Sequence, residues 1–282
     1  MSTIEKSFNH VKDQWNHQKA SELEGDEIAL LLYRSNVLGS DLKITNYGGG
    51  NTSCKTMETD PLSGAETEVM WVKGSGGDIG TLKRSGLAGL YVDRLHDLKK
   101  VYRGLVHEDE MVALFYRCLY DLESKAPSID TPLHAFLPFK HIDHLHPDSI
   151  IAIAAAKDGE RITQELFEGK LAWVPWQKPG FDLALQLEEC LNNNPGIEGI
   201  ILGGHGLFTW GDTAHDCYLN SLDKIDKAAD YLQQNYGKKR AVFGGSKIES
   251  LSNVDRTIQA AKLAPLLRGL CSSYARMLGH FT

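Results

Sequence analysis

The chain has 282 residues, 42% hydrophobic and 24% charged, with 30 lysines and arginines against 37 aspartates and glutamates for a formal charge of −7. A chain of this size buries enough surface for a core without staples, and the composition excludes a disordered or fibrous protein. The acidic balance argues against nucleic acid or an anionic membrane as partner. The longest apolar run, Ile150 to Ala156, is far short of the roughly 20 residues a membrane helix needs. The N-terminus, Met1-Ser2-Thr3-Ile4-Glu5-Lys6, lacks the apolar stretch of a secretory signal. Cys54, Cys118, Cys190, Cys217 and Cys271 are scattered and odd in number, and read as packed thiols of a reducing compartment. A soluble cytoplasmic protein is expected.

Apolar spacing at Ile28, Leu31, Leu32 and Val37 predicts a helix over 26–38. Extended stretches are expected near 41–46, 51–56 and 68–73, separated by Gly48-Gly49-Gly50 and Gly64. A helix over 108–123 starts on Glu108, Asp109 and Glu110, which suit its N-terminal dipole. Its buried stripe would be Met111, Leu114, Phe115, Cys118, Leu119 and Leu122. His141–His146 is a strand candidate, and Pro147 opens a helix through Ala156. Leu171–Val174 reads as a strand, 181–193 as a helix, and Gly199–Trp210 as one long strand with a glycine break. The clearest helix is 213–236, with Ala214, Tyr218, Leu222, Ile225, Ala229 and Leu232 on one face. Polar Gly237–Asp255 then links to a last helical region broken at Pro265, and the chain stops at His280-Phe281-Thr282. Helices interleaved with strands indicate an α/β layered fold class.

Four of the eleven histidines fall between 134 and 146, two of them as His144-Leu145-His146. On a strand, residues i and i+2 share a face, so both imidazoles can reach one metal ion, with His141 and Asp143 pointing the other way. Alone, the pair also fits two polar residues on an exposed strand. His205, framed as Gly203-Gly204-His205-Gly206 after an apolar run, is an unusual core residue. Three neutral imidazoles with an open fourth position fit a catalytic Zn²⁺ site.

Asn46-Tyr47-Gly48-Gly49-Gly50-Asn51-Thr52-Ser53 and Lys73-Gly74-Ser75-Gly76-Gly77 offer backbone N–H nests of the kind that bind phosphate, or are simply turns. Val69–Val72, Gly74-x-Gly76 and Asp93 mimic a dinucleotide fingerprint, but the third glycine is displaced to Gly80 and no helical apolar face follows. Asp130, in Pro127-Ser128-Ile129-Asp130-Thr131-Pro132, is a good helix cap and, upstream of the histidine pair, a candidate catalytic carboxylate.

Gly49-Gly50-Asn51-Thr52-Ser53, Lys73-Gly-Ser-Gly, Pro127-Ser-Ile-Asp, His144-Leu-His-Pro and Gly204-His-Gly occur in an order that resembles class II aldolase/adducin domains over about residues 25–236. Trp71 to Gly77, Thr131-Pro132-Leu133-His134-Ala135 and Leu263-Ala264-Pro265 look closest to the aldolase half of bifunctional rhamnulose-1-phosphate aldolase/dehydrogenases. The resemblance implies a three-layer α/β/α fold on a central, mainly antiparallel sheet, working as a homotetramer. It implies one Zn²⁺ per chain on His144, His146 and His205, a substrate phosphate held by Asn51, Ser75, Gly76 and Ser128, and Asp130 as catalytic acid/base. The family commonly has glutamate at the position of Asp130 and Thr-Pro in place of Val72-Lys73.

The activity implied is cleavage of a ketose 1-phosphate, rhamnulose 1-phosphate in that subgroup, to dihydroxyacetone phosphate and lactaldehyde. A pentulose-phosphate epimerase and a non-enzymatic adducin-like scaffold are the alternatives. Residues 1–240 are expected to form the aldolase-like domain and 241–282 a linker and helical extension, with the dehydrogenase half absent.

Overall fold

The computed structural model describes residues 7–46, 48–237 and 248–272. Met1–Lys6, Tyr47 of the first glycine loop, most of the predicted linker and the final His280-Phe281-Thr282 lie outside the described residues. The chain divides into two compact units, Met1–Asn235 and Tyr236–Thr282.

In chain order the first unit carries α1 (His17–Ser21), α2 (Glu27–Gly39), β1 (Asn51–Thr59), β2 (Glu66–Lys73), β3 (Leu87–Tyr91) and α3 (Val92–Asp97). There follow α4 (Glu108–Phe115), α5 (Thr131–Ala135), β4 (His141–Leu145), α6 (Asp148–Ala154), α7 (Gly159–Phe167) and β5 (Leu171–Val174). The unit closes with α8 (Phe181–Asn193), β6 (Gly199–Leu202), β7 (Gly206–Gly211) and α9 (Ala214–Tyr236), while α10 (Asn253–Cys271) belongs to the second. No helix among the described residues is long and apolar enough to cross a membrane.

The seven strands form one sheet in the order β3-β2-β1-β4-β7-β6-β5. Every neighbouring pair is antiparallel except β5 and β6. Alternation along the strands feeds the two faces. Met70 and Val72 of β2 join Leu90, Ile142 and Phe208 in a core under α3, α4, α5 and α8. Val69 and Trp71 of the same strand pack with Ile28 and Leu31 of α2 on the other face. Further along that face, Leu145, Ile201 and Leu207 meet α6, α7 and α9. The result is a mixed α/β fold with helices on both faces of a central sheet.

Helix α2 starts where the Asp26 carboxylate accepts from the amides of Ile28 and Ala29, satisfying donors a helix end leaves open. Helix α9 buries Ala214, Cys217, Tyr218, Ser221, Leu222, Ile225 and Ala228, the three-four spacing of one face.

Several elements differ from the sequence expectation. Residues 41–46 form a turn, because the Asp41 carboxylate accepts from Lys43 N and its carbonyl from Ile44 N. Helix α4 ends at Phe115 in a short 3-10 turn, leaving Leu122 83% exposed, so the predicted stripe is broken. Gly199–Trp210 is a hairpin of β6 and β7, and α10 runs through Pro265 without a break. Strand β2 leads by 3-10 turns into antiparallel β3, which removes the β-α-β unit that a dinucleotide fingerprint requires.

The five cysteines are free, with Cys54, Cys118 and Cys217 buried. Burial pushes the Cys54 thiol up to about 12 and that of Cys118 to about 11.

Candidate functional site

Strand β4 sits at the centre of the sheet, paired to β1 and β7, and all five of its residues are buried. Its side chains divide by parity. His144 lies flat on Phe208, with ring centroids 4.3 Å apart and planes at 12°. The Leu207 carbonyl lies 3.1 Å from His144 Nδ1. A carbonyl can only accept, so Nδ1 carries the proton and Nε2 presents its lone pair. His146 follows at the strand's rim, and its Nε2 is 3.1 Å from His144 Nε2.

His205 is brought in by the β6–β7 hairpin. Its turn is made by Gly203 and Gly204, the latter at φ +65°, and His205 N donates to Leu202 O at 3.0 Å. His205 Nε2 reaches within 3.3 Å of His144 Nε2. Candidate ligand nitrogens of the three rings all lie within 4.8 Å of one another. Glycine is required beside them. A Cβ on Gly206 would stand 2.6 Å from Leu145 O and 2.8 Å from His146 Cδ2, and one on Gly49 would stand 2.9 Å from His146 Nδ1.

These imidazoles are held neutral. Burial, followed by the neighbouring rings, drives His144 well below the ordinary histidine value. Burial first, then His205 and Lys73, lowers His146 to about 4, and burial alone lowers His205. His144 Nε2, an acceptor in this tautomer, faces the Nε2 atoms of both other rings, and three neutral imidazoles converging in this way suit a cation. His144 further has its tautomer fixed by a backbone carbonyl, the usual support of a metal-bound imidazole. The donor set therefore fits a divalent ion that favours imidazole, with room for a further ligand.

The remaining predicted residues gather along the adjoining loops. Asn51 is opposite His144 in the β1–β4 register, and its Nδ2 donates to Lys73 O at 3.2 Å. Gly74 N donates to Gly86 O, and Ser75 N to Ala126 O at 2.8 Å, which ties the second glycine loop to the stretch carrying Ser128 and Asp130. Ser75 and Gly76 are exposed, while Ser128 is half-buried.

Asp130 occupies the cap position of α5 but makes no side-chain capping bond, so the helix-cap role does not account for it. Its Oδ2 accepts from Ser128 Oγ at 3.4 Å. Burial raises its carboxyl above the ordinary value, against smaller opposing effects of Ser128 and Lys73.

Two features beside the site escaped the sequence reading. His134 Nδ1 lies 2.8 Å from Ser53 Oγ and its ring meets the edge of Phe208, so it supports the plate on which His144 rests. The clustering of four histidines signalled its neighbourhood but not its partner. Lys73, which in sequence is only the first residue of a glycine nest, is buried. Its charge acts on Asp130 and on His146.

The profile of the Class II Aldolase and Adducin N-terminal domain family matches residues 31–230. The N-terminal class II aldolase domain of a conserved protein from Thermoplasma acidophilum superposes with a TM-score of 0.70 at 32% identity, covering 79% of this chain and 99% of that one. A sugar-phosphate aldolase from Thermotoga maritima shares the fold at a TM-score of 0.54 and 14% identity, over 77% of this chain and 98% of that one. The uncharacterized oxidoreductase YuxG of Bacillus subtilis (strain 168) is 40% identical over 268 residues, which is 95% of this chain and 38% of that protein. The chain thus spans well under half the length of that relative.

Proposed function

The chain belongs to the class II aldolase and adducin family, and from that premise we propose that it is a zinc-dependent aldolase. Its substrate would be a ketose 1-phosphate, rhamnulose 1-phosphate first, cleaved to dihydroxyacetone phosphate and lactaldehyde. The observation that carries the reading is the convergence of His144, His146 and His205. A non-enzymatic scaffold has no need of three neutral imidazoles facing one another.

His144, His146 and His205 would hold the ion. When bound it supplies Lewis-acid stabilisation, worth several kcal/mol, of the negative charge left on the three-carbon fragment as the C3–C4 bond breaks. The Leu207 carbonyl keeps His144 Nε2 aimed at the cluster. Asp130 handles the proton at the reacting carbon and oxygen. Its raised pKa narrows the gap to neutrality, which suits a group that must both take and return a proton. Ser128 Oγ orients that carboxylate. Asn51, Ser75, Gly76 and Ser128 receive the phosphate through side-chain donors and loop amides.

The deciding experiment measures metal per purified chain and, on the same sample, release of dihydroxyacetone phosphate from rhamnulose 1-phosphate. About one zinc per chain with product release is expected, and Asp130→Asn is expected to keep the metal while losing about 10²- to 10⁴-fold in turnover. Metal without cleavage of any ketose phosphate would favour an epimerase of the same family. No metal would return the histidines to a structural role.

A further inference from the structure

The imidazoles of the cluster are not all held alike. His144 rests on Phe208 and has its Nδ1 fixed by the Leu207 carbonyl. His205 has no such anchor. Its Nδ1 is buried and has no hydrogen-bond partner among the described residues, while its Nε2 is turned to His144. The aim of His205 is therefore set by its backbone, and that backbone is a turn of glycines, Gly203-Gly204-His205-Gly206. Glycine has more conformational freedom to lose than any other residue, so such a turn aims an imidazole only when something outside it holds it still.

Two indoles press on it. A Cβ on Gly203 would stand 2.9 Å from Cζ2 of Trp173, and one on Gly204 would stand 3.2 Å from Cδ1 of Trp176. The space of each missing side chain is thus filled from outside the turn. The two rings differ in what else they do. Trp173 lies in β5 and packs on the core that faces α6, α7 and α9, so stability alone accounts for it. Trp176 is 68% exposed and joins none of the core clusters. Its loop is nevertheless tied down. Gln177 Nε2 donates to Asp182 Oδ2 at 3.1 Å, and Lys178 Nζ to Asp109 Oδ1 at 2.9 Å. On the turn's side, Gly203 N donates to Val174 O and Gly204 N to Ala154 O, both at 2.8 Å. A ring that adds little to the core is held over the residue that precedes His205.

We propose that Trp176 is a positioning residue for the metal centre: its indole, lying over Gly204, clamps the turn so that His205 Nε2 stays aimed into the cluster. The proposal rests on the metal site of the aldolase reading. It gives van der Waals contact the part that the Leu207 carbonyl plays for His144, since groups beyond the ligands orient them and set the affinity for the ion. Without the ring the glycine turn regains its freedom, His205 spends part of its time turned away, and only two imidazoles face the ion.

The test titrates zinc into the full metal-free chain against a chromophoric chelator and records the visible spectrum of the cobalt-loaded chain, for wild type, Trp176→Ala, Trp176→Leu and Trp176→Phe. Trp176→Ala and Trp176→Leu should bind zinc about 10- to 100-fold more weakly, the range for losing a group that orients a ligand, and should alter the cobalt spectrum. Trp176→Phe keeps a ring over Gly204 and should recover most of the affinity and the spectrum. The thermal midpoint of the metal-free chain should stay at the wild-type value, because the exposed indole adds little to the core. Wild-type zinc affinity in Trp176→Ala overturns the proposal; a raised KM for a ketose phosphate in that variant would then make the indole a substrate contact. An equal loss in Trp176→Phe overturns it too, since a ring would not be what matters. Should Trp176→Ala fail to fold, Trp176→Leu decides by the same titration. No substrate enters the titration, so a chain that binds zinc but cleaves no ketose phosphate loses the aldolase reading alone. A wild-type chain that binds neither zinc nor cobalt overturns both.

Discussion

The two faces of strand β4 put the same residue type to opposite uses. On the α2 side, His141 Nδ1 accepts from Arg34 Nη1 at 2.8 Å, and its Nε2 stands 3.3 Å from Glu27 Oε2. Asp143 Oδ1 accepts from Arg34 Nε at 3.0 Å, and its Oδ2 accepts from Ser221 Oγ. Arg34 completes its fork on the Ser53 carbonyl. On the other side, His144 is steered by Leu207 O so that its free nitrogen meets Nε2 of His146 and of His205. The first set is a strut, since its polar groups are turned to partners within the chain. The second becomes chemically available because its ring nitrogens face one another and not an anchoring side chain. An imidazole's role is set by what the second ring nitrogen faces.

That contrast can be broken most decisively at the ligand side. His144→Ala is expected to drop metal content from about one per chain towards zero and to take lyase activity to background. The circular dichroism spectrum should be unchanged. His141→Gln should do the reverse, keeping metal and activity while lowering the thermal midpoint. Full activity in a metal-free His144→Ala chain would end the division between the two faces.

The next largest effect falls on the strut. Arg34→Met leaves Asp143 charged, buried and without its cation. Removing one partner of a buried pair costs about 3–5 kcal/mol. Urea unfolding should show that loss, with metal content per folded chain preserved. A midpoint within about 1 kcal/mol of wild type would mean that water, and not Arg34, answers Asp143.

How much of this was open to the sequence follows from how local each signal is. The His144–His146 pair needed only the period of a strand, and the approach of His205 needed only glycines at a turn. Helices α2, α8 and α9 stand close to their periodic patterns because each buries one continuous face. The hairpin of β6 and β7 was hidden because an apolar run through Gly203-Gly204 looks the same whether the chain continues or folds back. Strand β3 and helix α7 escaped because Leu87–Tyr91 and Gly159–Phe167 are short and gain their burial from distant neighbours. The Arg34 network was illegible for the same reason: its partners lie 109, 107 and 19 residues away. The sole trace was an arginine inside the apolar stripe of a predicted helix, between Leu31 and Leu38. Lys73 was visible as a charge beside glycines, but nothing in a linear sequence shows that it is buried.

The smallest effect sharpens the comparison through protons. His134 is fully buried with Nδ1 on Ser53, and burial, followed by the charges of Lys55, Arg34 and Lys73, lowers it to about 3. An unfolded histidine titrates near 6.5. The folded pKa is depressed, so the unfolded chain binds more protons, and the contribution of His134 is whole above pH 6.5. It is lost progressively as the pH falls from there towards 3. Between pH 7.5 and 6 the loss is roughly 1 kcal/mol for one such group. His144, His146 and His205 add slopes of the same sign in the metal-free chain, so a single melting curve cannot assign the effect. His134→Gln isolates it: proton uptake on unfolding at pH 6 should fall by about three quarters of a proton, whatever the mutation does to stability itself. Zinc should flatten the slope of the wild type by holding its three ligands unprotonated until the ion leaves, and the His134 share should survive in the zinc-loaded chain. An unchanged slope in His134→Gln would mean that His134 already takes up its proton in the folded state, which its burial under Phe208 opposes.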